Sequence, residues 1–227
     1  MTPSIIAHRG ASGREFENSR AAFSRAIELG ADGVELDVHS TEDGIILVHH
    51  DAELPGFGPI GHLKYTRVME SRLPNGETIP TLPEVLNLLG DMDVYVEVKT
   101  LAPGFDDAIL AVLDEGPSPT RYAVHSFDHR IVARLGTRRP TLKRGILLSS
   151  YPLDPIPLLT AAGATMLWQD QRLIDRAIVD AVHGAGNTII AWTVNKAPDA
   201  LRLAEMGVDG LCGNHPDKLR ATITQGT

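Results

Sequence analysis

Acidic residues two positions apart are the most chemically informative feature of the sequence. Glu35 and Asp37 lie in a short run whose intervening positions are all apolar. Successive side chains of a strand point to opposite faces, so both carboxyl groups share one face while the apolar side chains cover the other. Glu97 lies in a second run of the same kind. Carboxylates that converge from neighbouring strands repel one another unless a cation lies among them.

The residues near these carboxylates indicate phosphoryl chemistry. An all-oxygen ligand set predicts one hard divalent cation, Mg²⁺ or Ca²⁺, rather than zinc. Arg9 and Lys99 supply positive charge for an anionic substrate, and an arginine can hold a phosphate through two hydrogen bonds. His8 and His50 supply imidazoles that exchange protons near neutral pH. A metal ion, cationic side chains and paired histidines are the usual components of a phosphoryl-transfer site.

The elements that must position these residues follow a repeated helix–glycine–strand pattern. Helix-like stretches end at Gly30, Gly163, Gly186 and Gly207, and a short β-branched or apolar run follows each of them. Glycine enters the left-handed conformation that closes a helix without a Cβ penalty. The repetition is typical of an α/β protein with a parallel sheet.

The same pattern predicts a TIM-type (β/α)8 barrel that forms a single catalytic domain over residues 1–227. The predicted strands are 4–8, 33–38, 93–98, 122–126, 143–148, 165–168, 187–193 and 209–213, and the clearest helices are 19–29, 81–89 and 198–205. Eight strand–helix units in 227 residues fit a compact barrel. A doubly wound open sheet is the alternative, but it usually has a glycine-rich phosphate loop after its first strand, and residues 10–13 match one weakly.

One segment breaks the repeat. Residues 45–50 have the composition of a ninth strand, whereas 52–80 shows no regular period. The stretch 55–61 contains two prolines and three glycines, which predict a loop. Because chemistry gathers at the carboxyl ends of barrel strands, we predict that 52–80 is an insertion covering the active-site face.

Composition limits the partners and the location that we expect. The net charge of −8 predicts repulsion from nucleic acid and from anionic membrane surfaces. No apolar run approaches the ~20 residues that span a bilayer, and the N-terminus lacks a signal-peptide pattern. Cys212 is the one cysteine, which excludes an intrachain disulfide. We therefore expect a cytoplasmic protein without a nucleic-acid partner or stable membrane insertion, and the oligomeric state stays open.

The chemically informative residues belong to a series of short motifs in which the chain resembles the glycerophosphodiester phosphodiesterase family. In the family's order they are HRG at 8–10, ENS at 17–19, GVELDV at 33–38, DG at 43–44, HD at 50–51, IPTLPEVL at 79–86, VEVK at 96–99, SF at 126–127, WTVN at 192–195 and GVDG at 207–210. Each motif is weak alone, but the ordered set is highly specific and covers nearly the whole chain. The chain departs from the family pattern after residue 51 and at GNHP, 213–216, where Thr-Asp before Pro is usual.

The resemblance implies a barrel enzyme that hydrolyses glycerophosphodiesters, with an insertion after the His-Asp pair. In the family, the residues that match Glu35, Asp37 and Glu97 bind the metal ion. Those that match His8 and His50 act as the general base and acid. The products would be glycerol 3-phosphate and an alcohol such as choline or ethanolamine.

The resemblance also implies substrate contacts. The residues that match Arg9 and Lys99 contact the phosphate in the family. We interpret Trp192, at a strand end, as an apolar wall for the glycerol part of the substrate. His125 matches no motif position with a catalytic role, and we expect it to be a structural or rim residue. His39 and His49 are expected to be bystanders.

Two other functions remain as alternatives. A lipid phosphodiesterase of the lysophospholipase D or sphingomyelinase D type would need an apolar surface at the mouth of the barrel, for which Leu54, Phe57, Ile60 and Leu63 are the candidates. A non-catalytic barrel that binds a phosphate ligand is the second alternative, and the intact histidines and carboxylates disfavour it.

Overall fold

Short apolar runs separated by amphipathic helices form a closed barrel in the computed structural model, which describes residues 2–226. The strands are β1 (Ser4–His8), β2 (Gly33–Ser40), β3 (Ile46–Val48), β4 (Glu53–Leu54), β5 (Gly58–Pro59), β6 (Asp93–Thr100), β7 (Tyr122–Ser126), β8 (Lys143–Leu148), β9 (Met166–Asp170), β10 (Thr188–Trp192) and β11 (Gly210–Gly213). The α-helices are α1 (Arg20–Glu28), α2 (Tyr65–Val68), α3 (Leu82–Leu89), α4 (Asp106–Glu115), α5 (His129–Arg138), α6 (Ile156–Ala162), α7 (Arg176–Gly184), α8 (Ala197–Met206) and α9 (Pro216–Gly226).

Eight parallel strands form a ring in the order β1, β2, β6, β7, β8, β9, β10 and β11. The ring closes at β1, where Ala7 pairs with Val34 on one side and with Gly213 on the other. A closed ring excludes the doubly wound open sheet. The predicted (β/α)8 fold class is confirmed.

Local sequence signals explain where the helices end and begin. Gly30, Gly163, Gly186 and Gly207 all have positive φ, at 69°, 61°, 74° and 84°, as the predicted helix-closing residues should. At the start of α3, the Thr81 and Glu84 side chains form a capping box.

The N-cap of α1 is Ser19, whose hydroxyl accepts the backbone N–H of Ala22. The amide of the preceding Asn18 donates a hydrogen bond to Asp37 inside the barrel.

The apolar residues divide into an inner and an outer core. Inside the barrel, Ile6, Leu147, Trp168, Ile190 and Cys212 pack together. Two larger clusters lie outside it, between the strands and the surrounding helices. Because the interior is filled by side chains, substrate access is restricted to the end of the barrel.

Residues 45–80 form an addition that joins the barrel at the carboxyl-terminal part of β2. The predicted ninth strand is β3, which pairs antiparallel with β2. The segment 52–80 contains the β4–β5 hairpin and the short helix α2, and its apolar side chains form a separate small core together with Leu47. The Glu77 carboxylate accepts backbone N–H groups of Arg20 and Ala21, which fixes the segment to the start of α1. Within residues 2–226, no helix combines the length and the apolar composition that crossing a bilayer requires.

Gly145 on β8 provides the space for the largest buried side chain of the barrel interior. A Cβ at this position would lie 2.8 Å from Cδ1 of Trp168 and 3.1 Å from the Met166 carbonyl oxygen. We predict that Gly145→Ala lowers the free energy of unfolding by about 1–3 kcal/mol, because it overpacks a filled interior. Urea unfolding measures the change. Gly184→Ala is the matched control, since no atom of residues 2–226, apart from its chain neighbours and its own helix backbone, lies within 4 Å of the added Cβ. An equal loss in both variants would contradict the prediction.

Candidate active site

The carboxylates are brought together by the pleat and register of two adjacent strands. In β2 and β6, the polar residues at alternate positions point into the carboxyl end of the barrel, and the intervening valines and leucine point outward into the core. The parallel register sets Asp37 beside Glu97. Glu35 and Asp37 are 2% and 0% exposed, and Glu97 is 7% exposed. Two neighbouring strands therefore bury three carboxyl groups close together at the carboxyl end of the barrel.

Asp37 is the most fully paired of the three. Its Oδ1 lies 3.1 Å from Nζ of Lys99, and its Oδ2 lies 3.1 Å from Nε of Arg9. The Asn18 amide donates a hydrogen bond to the same Oδ2 at 2.8 Å. Burial alone would raise the pKa of Asp37, but the charges of Lys99 and Arg9 hold that pKa below its ordinary value. Asp37 is thus ionised and compensated by the protein itself.

Glu35 and Glu97 are compensated less completely. Burial, followed by the charge of Asp37, raises the pKa of Glu97 to about 7. The same two causes, together with Glu97, raise the pKa of Glu35 well above its ordinary value. Lys99 lies 2.7 Å from Glu97, yet it also serves Asp37, so one ammonium group is shared between two carboxylates. The cluster carries more buried negative charge than its two cations offset.

A histidine completes this cluster. One ring nitrogen of His125, on β7, lies within 4.8 Å of an oxygen of Glu35 and an oxygen of Glu97. The His125 side chain is 1% exposed, so it lies inside the barrel and not at the rim. Burial lowers its pKa to about 3, which leaves the imidazole neutral. Uncompensated carboxylates beside a neutral imidazole are a donor set that fits a divalent cation.

His8 is held in one orientation by an asparagine that the motif analysis did not single out. Its Nδ1 lies 2.8 Å from Oδ1 of Asn214, and the backbone N–H of Asn214 donates in turn to Oδ1 of Asn195 at 2.8 Å. The other nitrogen of His8, Nε2, lies 3.9 Å from Glu35. Burial, followed by the charge of Arg9, lowers the pKa of His8 to about 4. His8 therefore presents an unprotonated Nε2 to the site at neutral pH.

His50 lines the same cleft as His8. Its Nδ1 lies 2.8 Å from Oδ1 of Asp51, and because a carboxylate only accepts, Nδ1 carries the proton of that bond. Its backbone carbonyl accepts a hydrogen bond from Nε2 of His39 at 3.0 Å. His49 bonds through Nδ1 to the backbone oxygen of Asp51. His39 and His49 thus shape the loop that carries His50.

The HRG motif combines a strained residue with a close approach. Arg9 has a φ of 55°, which is costly for a residue with a Cβ. Its backbone N–H donates to Glu35 at 3.0 Å, and its guanidinium bonds to both oxygens of Glu17. Gly10 follows with a φ of 77°, and a Cβ there would lie 2.7 Å from the backbone of Ala22. The motif therefore turns the chain sharply while it aims Arg9 at the carboxylates.

The cleft that contains these groups has aromatic and apolar walls. They are formed by Phe127, Leu147, Trp168, Trp192, Thr193 and Cys212. Phe127 meets Trp192 edge to face, with ring centroids 5.5 Å apart. Trp192 lies in this wall, its contact with the glycerol part of a substrate stays a prediction, and Phe127 belongs to the SF motif.

The insertion contributes no lining residue to this cleft. Leu54 and Ile60 are buried in the insertion's own core, and Phe57 and Leu63 pack against it. Leu54 and Ile60 are therefore removed from solvent, Phe57 and Leu63 are half-buried, and none of the four forms an apolar wall of the cleft for a lipid substrate.

Comparison with known proteins identifies the family. A sequence model of the Glycerophosphoryl diester phosphodiesterase family matches residues 8–218. The chain belongs to this family. A glycerophosphodiester phosphodiesterase of Caldanaerobacter subterraneus subsp. tengcongensis is 33% identical over the full length of both chains. A probable glycerophosphodiester phosphodiesterase 2 of Mycobacterium tuberculosis is 34% identical, covering 96% of this chain and 89% of the relative. The resemblance drawn from the motifs is confirmed, and with it the enzyme class, a phosphodiesterase.

Solved structures agree with this assignment to the glycerophosphoryl diester phosphodiesterase family. An Oleispira antarctica phosphodiesterase, solved in complex with the product sn-glycerol-3-phosphate, superposes with a TM-score of 0.90 at 26% identity, over 98% of this chain and 97% of that chain. A Silicibacter pomeroyi structure superposes with a TM-score of 0.91 at 22% identity, over 99% of this chain and 94% of that chain, which shows the shared fold.

The charge imbalance predicts how stability depends on pH and on metal. A carboxyl whose folded pKa is raised loses its stabilising contribution as pH rises from its unfolded pKa, near 4.5, to about 7. In chelator, we therefore predict that Glu97→Gln is more stable than the unmutated protein at pH 8 by roughly 1–3 kcal/mol, and that the difference shrinks at pH 4.5.

Urea unfolding at the two pH values, with and without a divalent cation, measures this prediction. Adding the cation should make the unmutated protein the more stable of the two, because its carboxylates bind the cation more tightly than those of Glu97→Gln. Glu115→Gln, at the exposed end of α4, is the control. A glutamine variant that is less stable in chelator at pH 8 would contradict the prediction.

Proposed function

We propose that the chain hydrolyses glycerophosphodiesters to glycerol 3-phosphate and an alcohol, with one divalent cation and with His8 and His50 as the acid–base pair. The observation that carries this proposal is that both histidines line one cleft together with Glu35 and Glu97. Anionic groups for a cation, cationic groups for a phosphate and two proton-transfer groups thus occupy one small space.

The proposed cation site consists of Glu35, Asp37 and Glu97. When bound, the ion would polarise the phosphoryl oxygens and offset the charge that develops on them. Its presence would also resolve the excess of buried negative charge, since two of the carboxyl groups have raised pKa values without it. Taken alone, the three carboxylates would favour Mg²⁺ or Ca²⁺.

Arg9 and Lys99 are proposed to bind the phosphate. Both already contact Asp37 and line the cleft, so their positions are fixed before substrate arrives. Such pre-set cations stabilise transition-state charge without reorganisation. Trp192 and Phe127 supply an apolar wall on which the carbon skeleton of the glycerol would rest.

His8 is proposed as the general base and His50 as the general acid. The unprotonated Nε2 of His8 would accept the proton of the attacking water or substrate hydroxyl group as that oxygen bonds to phosphorus. If a substrate hydroxyl group attacks, water then opens the cyclic phosphate to give glycerol 3-phosphate. His50 would give a proton to the alcohol oxygen as the phosphorus–oxygen bond to the head group breaks. Asn214 and Asp51 each hold the Nδ1 side of one ring, which leaves Nε2 for the substrate.

The proposed domain organisation follows from the same arrangement. We propose that residues 1–227 act as one catalytic domain in which 52–80 covers the active-site face beside the cleft. The support is that β4 begins two residues after Asp51 of the His-Asp pair, while the segment's apolar side chains remain in its own core.

Turnover of glycerophosphocholine tests the proposed reaction. We expect release of choline and glycerol 3-phosphate that stops in chelator and returns with a divalent cation. His8→Ala and His50→Ala should each lower kcat by about 10²–10⁴-fold, the usual contribution of acid–base catalysis. His62→Ala, in the insertion, is the control, since His62 lies outside the cleft lining.

The alternatives predict different results in the same assay. Faster turnover of lysophosphatidylcholine than of glycerophosphocholine would favour the lipid phosphodiesterase. Product release at the same rate in chelator would contradict the metal-dependent mechanism. Binding of glycerol 3-phosphate without turnover of any diester would favour a non-catalytic barrel.

Asn214 is expected to act as a positioning residue for His8. Asn214→Ala should lower kcat by about tenfold or more with little change in KM, because an unrestrained imidazole is seldom in the reactive orientation. Asn214→Asp keeps an oxygen acceptor for Nδ1 and should restore most of the rate. It should also shift the acidic limb of the kcat pH profile to higher pH, because a carboxylate stabilises the charged imidazole. Equal rates for the two variants would contradict this role.

A further inference from the structure

The imidazole of His125 has a nitrogen without a hydrogen-bond partner among residues 2–226. Its Nδ1 is fully buried and has no hydrogen-bond partner. Buried polar atoms ordinarily have a partner, so an unpaired nitrogen in a functional cleft calls for an explanation. The ring lies beside Glu35 and Glu97, with one donor atom of each residue within 4.8 Å of the others. This juxtaposition is independent of the carboxylate pattern, because His125 is on β7 and comes from outside the metal motifs.

Trp168 fixes the orientation of the His125 ring. It stacks on Trp168 with ring centroids 4.2 Å apart and an angle of 7° between the planes. Trp168 in turn occupies the space left open by Gly145, the β8 residue that pairs with His125 in the sheet register. A ring held in this way is pre-organised, so little rotamer freedom would be lost when it binds a ligand.

Proton transfer is a poorer explanation for this ring. The groups that exchange protons with substrate, His8 and His50, are each oriented through Nδ1 by a hydrogen-bond partner, whereas His125 has none. A buried ring beside two carboxylates can instead donate a nitrogen lone pair to a metal ion.

We propose that His125, beside Glu35 and Glu97, is an additional, nitrogen ligand of the cation in the proposed site, and that this site prefers a first-row transition-metal ion such as Mn²⁺ or Co²⁺ to Mg²⁺ or Ca²⁺. The inference rests on the proposed function and names the class of ion that serves it. Mg²⁺ and Ca²⁺ take oxygen ligands, whereas transition-metal ions gain affinity from imidazole.

Pulsed electron paramagnetic resonance of the full-length, Mn²⁺-loaded protein tests the nitrogen ligand directly. We expect electron spin echo modulation from a directly bound ¹⁴N nucleus, and we expect it to change when histidine alone is labelled with ¹⁵N. The labelled protein is unmutated, so this readout does not depend on the folding of a variant. Absence of nitrogen coupling in the Mn²⁺-loaded protein would overturn the proposal.

His125→Phe removes the nitrogen and keeps a flat ring on Trp168. We expect it to lose the nitrogen coupling and to weaken Mn²⁺ binding in calorimetry by about tenfold or more, since even outer-shell partners of metal ligands contribute 10–100-fold. Ca²⁺ binding should stay nearly the same. His8→Phe is the matched control, and it should retain the coupling. Coupling that survives in His125→Phe and disappears in His8→Phe would assign the nitrogen to His8 and overturn the proposal.

The failure of this inference is distinguishable from failure of the proposed function. If Mn²⁺ and Ca²⁺ both bind, are lost in Glu35→Gln and show no nitrogen coupling, the carboxylate site stands and His125 is not a ligand. If calorimetry detects no divalent cation at all and turnover survives in chelator, the metal-dependent reaction fails as well.

Discussion

The structure depends on keeping several carboxyl groups out of water at one end of a barrel. Glu35, Asp37 and Glu97 are nearly inaccessible, and Arg9 and Lys99 are the two cations in contact with them. Burial of an unpaired carboxylate is costly, so the groups are either compensated or partly protonated. Arg9, Lys99 and Asn18 compensate the charge of Asp37. Glu35 and Glu97 have raised pKa values instead, and their incompletely compensated charge favours the binding of a cation.

Two residues that contact the carboxylates have strained backbone conformations. Arg9 and Asn18 both have left-handed φ values, 55° and 53°, and both contact Asp37. Strain of this kind persists only where the neighbouring structure enforces it, and it concentrates at functional sites. Here the enforcing contacts are the hydrogen bonds of Arg9 to Glu35 and Glu17 and the close packing of Gly10 on α1. Rigid strands and a constrained loop therefore hold the charged groups at fixed separations.

Much of this arrangement could be predicted from the sequence because it depends on local periodicity. Alternation along a strand assigns Glu35 and Asp37 to one face, and helix-closing glycines mark where each strand begins. Those rules need only neighbouring residues. The ordered motifs then identified the family. His50 lines the cleft, and its role stays a prediction.

The remaining features depend on residues that are distant in the chain. His125 meets Glu35 and stacks on Trp168 only because β7, β2 and β9 surround the same interior. Asn214 reaches His8 across 206 positions, and a departure from the family pattern was the one signal at that site. Apolar residues of 52–80 were candidates for a surface only under the lipid phosphodiesterase alternative, and nothing in their sequence indicates that they pack with Leu47 in a separate core.

That separate core has an architectural consequence. Leu47 and Thr81 form a bridge between the two ends of the added segment, and the backbone N–H of Val48 donates to the carbonyl of Pro80. The chain thus leaves and rejoins the scaffold at nearly one point, so the length between those points is weakly coupled to barrel closure. Loop-closure entropy grows only logarithmically with length. Segments of different size could therefore be exchanged at this junction without a change in how the barrel closes.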